Sequence, residues 1–375
     1  MVETKPKIWN FSAGPCVLPQ EVLKRAQAEL LDCNGSGMSV MEMSHRGKAF
    51  TTIAEGARDN LRKLMDVPDT HQIFFFQGGA CLQFSAIVYN LVNEGKTTNY
   101  LTTGTWSEGA LKEATKLTKT NEVATNIPNK YAFISEPEEW KIEKDAAYFH
   151  YCDNETIQGF EFHDFPFEKV PEDQILVCDM SSNFCSRKVD FSKYGVVYAG
   201  AQKNVGPAGV CFAIIKRDLI GKIKNNMPML CDWDIFNKAA NTFQNTPCCW
   251  SIYMCGLNIE YMLAKGGIEA MEALAVKRSS MLYDYFDTTD GYYVNNIQKR
   301  WRSRMNIPFR ICCDDGLEKK FVADASAAGL KDLSGHRSVG GCRASCYNAM
   351  EVEGVEALIT FMKAFREANP KPEAK

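Results

Sequence analysis

The chain has 375 residues, enough for two average domains or one large α/β unit, and is 45% hydrophobic and 24% charged. That is ordinary globular usage and excludes disordered, collagenous and coiled-coil classes. A net charge of -3 lacks the basic excess that nucleic-acid binding demands, and no apolar run reaches membrane-spanning length.

Leu18 to Leu31 carries apolar residues at Val22, Leu23, Ala26 and Leu30, which predicts a helix ended by Asn34-Gly35-Ser36-Gly37. Helical spacing resumes from Thr51 to Leu64, after a polar loop holding Ser44-His45-Arg46-Gly47. Short apolar runs then alternate with helical stretches: strand Ile73 to Phe76, helix Leu82 to Leu91, strand Asn99 to Thr102, helix Trp106 to Leu117. Further strands are expected at Ala147 to Cys152, Gln174 to Cys178, Gly195 to Ala199 and Gly209 to Ile215. This is the rhythm of an α/β protein with a mostly parallel sheet flanked by helices. A helix from Ile252 to Lys265 reads as a bridge to a smaller α+β region. There the pattern predicts helix Ile268 to Tyr285, strand Asn306 to Cys312, helix Leu317 to Ala327, a glycine-rich basic loop from Ser334 to Arg343, and a last helix from Val352 to Ala368. The tail from Asn369 is expected to fray.

Fifteen cysteines are many, yet their odd number and a Met1 to Trp9 start without an apolar signal region predict a cytoplasmic protein without a disulfide framework. There is no Cys-x-x-Cys, and neither Cys248-Cys249 nor Cys312-Cys313 suits a tetrahedral zinc, so no metal is expected.

Three segments carry chemistry. Gln77-Gly78-Gly79-Ala80-Cys81 turns from a strand into a helix whose free N–H groups and dipole would attract a phosphate. Asp179 ends the apolar strand Leu176-Val177-Cys178, at the edge where open α/β sheets bind ligands. Lys203 follows another strand among small residues, where desolvation lets an amine lose its proton and condense with a carbonyl. A phosphate anchor, an acid and an amine on one sheet edge are the three requirements of pyridoxal phosphate.

With those residues in place, the chain resembles the class V group of fold type I pyridoxal-phosphate aminotransferases. The likeness runs through Asn10-Phe11-Ser12-Ala13-Gly14-Pro15, Ser44-His45-Arg46-Gly47, Gly104-Thr105-Trp106-Ser107, Asn154-Glu155-Thr156-Ile157 and Asp179-Met180-Ser181-Ser182. Its most specific pieces are Tyr198-Ala199-Gly200-Ala201-Gln202-Lys203-Asn204 and His336-Arg337-Ser338-Val339-Gly340-Gly341-Cys342-Arg343.

The resemblance implies a large cofactor-binding domain over residues 16–265, a small α+β domain over 266–375, and an N-terminal segment, 1–15, associated with the small domain. It implies Lys203 as the Schiff-base lysine, Asp179 on the pyridine nitrogen and Trp106 stacked on the ring. Gly79, Ala80, Cys81, Thr156 and Gln202 would hold the phosphate and phenolic side, with Asn245 and Thr246 reaching in from the second subunit of a homodimer. Arg343 would grip the α-carboxylate, and His45, Arg46, His336 and Arg337 the distal phosphate or γ-carboxylate. The implied reaction moves the amino group of L-glutamate to 3-phosphohydroxypyruvate. A cysteine desulfurase would usually carry a histidine over the ring, where this chain has Trp106. Some relatives place arginine where this chain has Cys81.

Overall fold

The computed structural model describes residues 7–126, 133–223 and 226–371. A short strand β1 (Trp9–Asn10) leads into helices α1 (Gln20–Ala28) and α2 (Lys48–Met65). The alternation then runs β2 (His71–Phe76), α3 (Gly79–Leu91), β3 (Thr97–Thr102), α4 (Thr105–Thr115) and β4 (Lys119–Thr125). After β5 (Tyr148–Cys152) comes a small hairpin, β6 (Asn154–Glu155) and β7 (Phe160–Glu161), then β8 (Ile175–Asp179), β9 (Val196–Gly200) and β10 (Cys211–Lys216). Helices α5 (Trp233–Lys238), α6 (Cys249–Ala264) and α7 (Gly267–Asp287) follow. The chain closes with β11 (Tyr293–Val294), β12 (Asn306–Ile311), α8 (Asp315–Ala327), β13 (Leu330–Lys331), β14 (Cys342–Ser345) and α9 (Val352–Ala368). Of the expected frayed tail, residues 372–375 lie outside the described residues.

The central sheet has seven strands in the order β2-β10-β9-β8-β5-β3-β4. Only β10 runs against its neighbours; the other pairs are parallel. The inner strands β8, β9 and β10 are largely apolar because helices cover both faces: α2 and α6 pack on one side, α3 and α4 on the other. The edge strand β4 escapes the sequence pattern for the converse reason, since Val123 alone among its residues is buried.

A second, antiparallel sheet is built from β11, β12 and β14, and β1 pairs in parallel with β13 beside it. The end of the expected basic loop is in fact strand: Arg343 lies in β14, in register with Pro308. Parallel direction puts the carboxyl ends of β2, β5, β8 and β9 along one edge of the large sheet. The glycine turn, the hairpin tip, Asp179 and Lys203 all emerge there.

Below that edge His150 lies fully buried, with Nε2 2.8 Å from the Tyr198 hydroxyl. Burial pushes its pKa down to about 3. The unfolded chain takes up a proton there below about 6.5 while the native chain does not, so His150 costs stability progressively as pH falls from about 6.5 toward 3. A His150→Gln variant is therefore expected to lose urea resistance less steeply than the parent between pH 6.5 and pH 4.5, at matched protein concentration. Parallel slopes would show that His150 titrates normally.

Candidate active site

Lys203 leaves β9 through a tight turn in which the Val205 and Gly206 N–H groups donate to the Ala201 carbonyl. Its Nζ donates to Thr156 Oγ1 at 2.7 Å and lies 5.4 Å from the Trp106 ring. Burial pushes the ammonium pKa down, and Asp179 opposes that shift. Asp179 accepts a hydrogen bond from Ser181 N at 2.8 Å. Burial pushes its carboxyl up, against hydrogen bonds from Ser181 and Tyr198 and the charge of Lys203. One buried acid and one buried amine thus stand in the same pocket, each short of full charge compensation.

Thr156, at the hairpin tip, joins two functions. Its hydroxyl takes Lys203, and its carbonyl accepts from Arg343 Nη1 at 3.3 Å. Burial pushes the pKa of His336 down, and the positive charges of Arg343 and Arg337 push it the same way. His336 Nδ1 is held 2.7 Å from Ser338 Oγ, and Arg337 is exposed. His45 is buried, with Nε2 lacking a hydrogen-bond partner among the described residues, while Arg46 is exposed. Neither is tied to the Lys203 pocket within one chain. Thr246, adjoining Asn245, accepts a bond at its carbonyl from Gln77 Nε2 at 2.8 Å, beside the glycine turn.

Gly78 begins α3 in the left-handed region (φ 85°), where an added Cβ would lie 2.8 Å from Leu82 Cβ. It supplies no side-chain cap, so the N–H groups of Gly79, Ala80 and Cys81 face outward as an uncapped first turn. The Cys81 thiol is pushed up by burial and by Asp179, and drawn down by Lys203. The Gln202 carbonyl accepts from Cys16 N at 3.0 Å, and Gly14 packs against Lys203 and Gln202, with an added Cβ only 3.4 Å from Lys203 Cγ.

Sequence reasoning missed Ser181, Tyr198, Cys16 and Gln77 as site residues. Ser181 was within reach of it, because an Asp-x-Ser turn signals a side-chain-to-backbone bond. Tyr198 and Cys16 act through contacts that only the folded sheet brings about. The residues present fit pyridoxal phosphate: an uncapped helix start for the phosphate, an under-compensated carboxylate for a ring cation, an amine with lowered pKa, and an indole whose buried Nε1 has no partner among the described residues. No group of three or more His, Cys, Asp or Glu side chains is set to hold a metal among the described residues.

The class-V aminotransferase family matches residues 8–358, and the chain belongs to it; it is a pyridoxal-phosphate-dependent transaminase. Within the family it is similar to phosphoserine aminotransferase of Marinomonas sp. (strain MWYL1), at 47% identity over 96% of this chain and 99% of that protein. The structure of phosphoserine aminotransferase from Bacillus circulans subsp. alkalophilus superposes with a TM-score of 0.93 at 40% identity, covering 96% of this chain and 99% of that one. The pyridoxal-phosphate-bound enzyme from Trichomonas vaginalis gives a TM-score of 0.91 at 43% identity, covering 95% and 100%.

Proposed function

We infer that the chain catalyses transfer of the amino group of L-glutamate to 3-phosphohydroxypyruvate, giving O-phospho-L-serine and 2-oxoglutarate, a transamination of serine biosynthesis. The observation that carries this reading is the Lys203–Thr156–Arg343 junction, which sets a catalytic amine and a carboxylate-binding guanidinium on two atoms of one residue. The similarity to phosphoserine aminotransferases over nearly the whole chain supports the choice of substrates.

When bound, pyridoxal phosphate supplies an aldehyde that receives the amino group and a protonated ring that draws electrons from the substrate α-carbon. Asp179 would favour a protonated ring nitrogen by its negative charge. Lys203 would hold the cofactor aldehyde, and its amine is the group placed to carry the proton to and from the substrate α-carbon. Its lowered pKa suits that work, because a neutral amine is needed to accept a proton. Trp106 would cover the ring face, and the first turn of α3 with Gly79, Ala80 and Cys81 would take the phosphate. Thr156 and Gln202 hold the phenolic side. Arg343 pairs with the α-carboxylate common to both substrates by two parallel hydrogen bonds. His336, Arg337, His45 and Arg46 supply the positive field for the group that differs, phosphate in one half-reaction and γ-carboxylate in the other.

Two copies would complete this site, with Asn245, Thr246, His45 and Arg46 crossing the interface. Exposed Leu31, Met38, Met41, Met229 and Leu230 support that assembly. Met229 lies beside the Asn245-Thr246 segment, since Gln244 Nε2 donates to Met229 Sδ at 3.7 Å. We further propose the division into domains at 16–265 and 266–375, with the N-terminal segment, of which residues 7–15 are described, associated with the smaller one through the β1–β13 pairing. All fifteen cysteines are free, as suits the reducing cytoplasm, and no helix among the described residues is long and apolar enough to cross a membrane.

The test pairs 3-phosphohydroxypyruvate with its unphosphorylated analogue. The phosphorylated substrate is expected to have kcat/KM higher by about 100-fold or more, since charge-assisted bonds contribute about 1.5–3 kcal/mol each. Equal values would remove the basic cluster from substrate recognition.

A further inference from the structure

Helices α3 and α4 both begin at the edge of the sheet that carries Lys203, yet their N-termini are treated in opposite ways. That of α3 is left uncapped. That of α4 is filled by the protein itself, and every orphan donor of its first turn is accounted for. Thr105 N donates to Gln158 Oε1 at 3.1 Å, Trp106 N to Glu155 Oε2 at 3.0 Å, and Ser107 N to Glu155 Oε1 at 2.9 Å. Ser107 Oγ adds a bond of 2.6 Å to Glu155 Oε1, and Gln158 Nε2 one of 2.7 Å to Thr105 Oγ1. The carboxylate is buried and has no cationic partner in these contacts; its charge is met by the aligned N–H groups and the helix dipole. Glycine at 104 is what admits the clamp, since an added Cβ there would lie 2.5 Å from Glu155 Cδ and 2.6 Å from Gln158 Oε1.

Both clamping side chains project from one four-residue turn, and the residue next to Glu155 is Thr156, the acceptor for Lys203. The turn is itself pinned on its far side. Gly159 packs against Pro308, with an added Cβ only 2.3 Å from Pro308 Cδ, and its carbonyl accepts from Ser303 N at 2.9 Å. A single rigid turn therefore sets the amine of Lys203 and the helix start that carries Trp106.

We propose that Glu155, assisted by Gln158, is a positioning residue that fixes the Trp106 indole relative to Lys203 and so sets the orientation of the cofactor ring between them. This rests on the reading of Trp106 as the residue that covers the ring. Glu155→Gln is the informative change, because the amide keeps the volume but turns one acceptor oxygen into a donor facing a backbone N–H. Holoenzyme is to be compared for kcat, KM, the visible circular dichroism band per bound cofactor, and melting of the apoprotein.

The expected result is a kcat about 10- to 100-fold lower, the scale of a misplacement near 1 Å, with KM for glutamate within about threefold and a band that loses most of its amplitude. A variant that melts earlier but keeps kcat and the band at full occupancy would reduce Glu155 to a helix cap and overturn the proposal. Trp106→Phe separates the two layers of the reading. If it leaves the band unaltered, the ring does not lie against Trp106; if it alters the band while Glu155→Gln does not, the clamp alone fails. Should Glu155→Gln not fold, Gln158→Ala releases Thr105 with the buried carboxylate in place and is expected to shift kcat and the band in the same direction to a smaller extent; no shift in either would likewise overturn the proposal.

Discussion

Lys203→Ala is expected to lower kcat by about 10⁴-fold or more, because proton transfer by a positioned side chain alone contributes about 10²–10⁴ and covalent anchoring is lost with it. The same change should abolish covalent cofactor capture. Borohydride reduction of the parent followed by peptide mass analysis is expected to mark the peptide holding Lys203, and the variant should carry no mark. The fold should survive. The neighbouring residue, Asn204, holds the turn through Oδ1 with Asn348 N at 2.9 Å and through Nδ2 with the Ser182 carbonyl at 3.2 Å, and neither bond involves the lysine side chain. Small primary amines should restore part of the activity, since the vacated space beside Thr156 admits a replacement proton carrier. Activity within tenfold of the parent, or a label on another lysine, would remove Lys203 from the reaction.

Much of this site was legible in the sequence, for a physical reason. Apolar strands such as Ile73–Phe76 and Leu176–Cys178 are buried on both faces, so their ends are marked sharply by the first polar or glycine residues, and those residues emerge along the sheet edge where open α/β sheets bind ligands. Asp179, Lys203 and the glycine turn could be found in this way. Glu155 could not. A carboxylate between Asn154 and Thr156 reads as a surface residue, and the donors that make it a buried cap lie 48 and 49 positions away in the chain. The β6–β7 hairpin was equally silent, since strands of two residues carry no periodicity. Strand order followed from no local pattern either, and it is the placement of β10 between β2 and β9 that brings the glycine turn within reach of Lys203. The basic loop was read too long because Arg343 alternates with buried Cys342 and Ala344 over only four residues of β14, too few for a charged strand to declare itself.

Asp179→Asn is expected to cut kcat by about 10²–10³-fold, the scale of losing one electrostatic stabiliser aimed at charge in the transition state. The amide retains the oxygen that accepts from Ser181 N at 2.8 Å, so the change removes charge with little change of shape. It should also make the apoprotein more stable at neutral pH, and the sign follows from burial. Burial raises the native pKa of this carboxyl above its ordinary value of 3.8. Below that ordinary value both native and unfolded chains hold the proton and the acid costs nothing extra. As pH rises through the native pKa the unfolded chain has already ionised freely while the native chain must bury the charge, so stability is lost and stays lost at pH 7. The variant never ionises and escapes that loss. Urea midpoints of the two apoproteins, at one protein concentration, should therefore coincide near pH 3.5 and separate in favour of the variant by pH 7, while its kcat falls. An acid held at a cost to the empty fold and needed by the loaded enzyme has the thermodynamic signature of a site shaped for a cationic ring. Equal midpoints at both pH values, together with an unchanged kcat, would make Asp179 an ordinary end-of-strand residue.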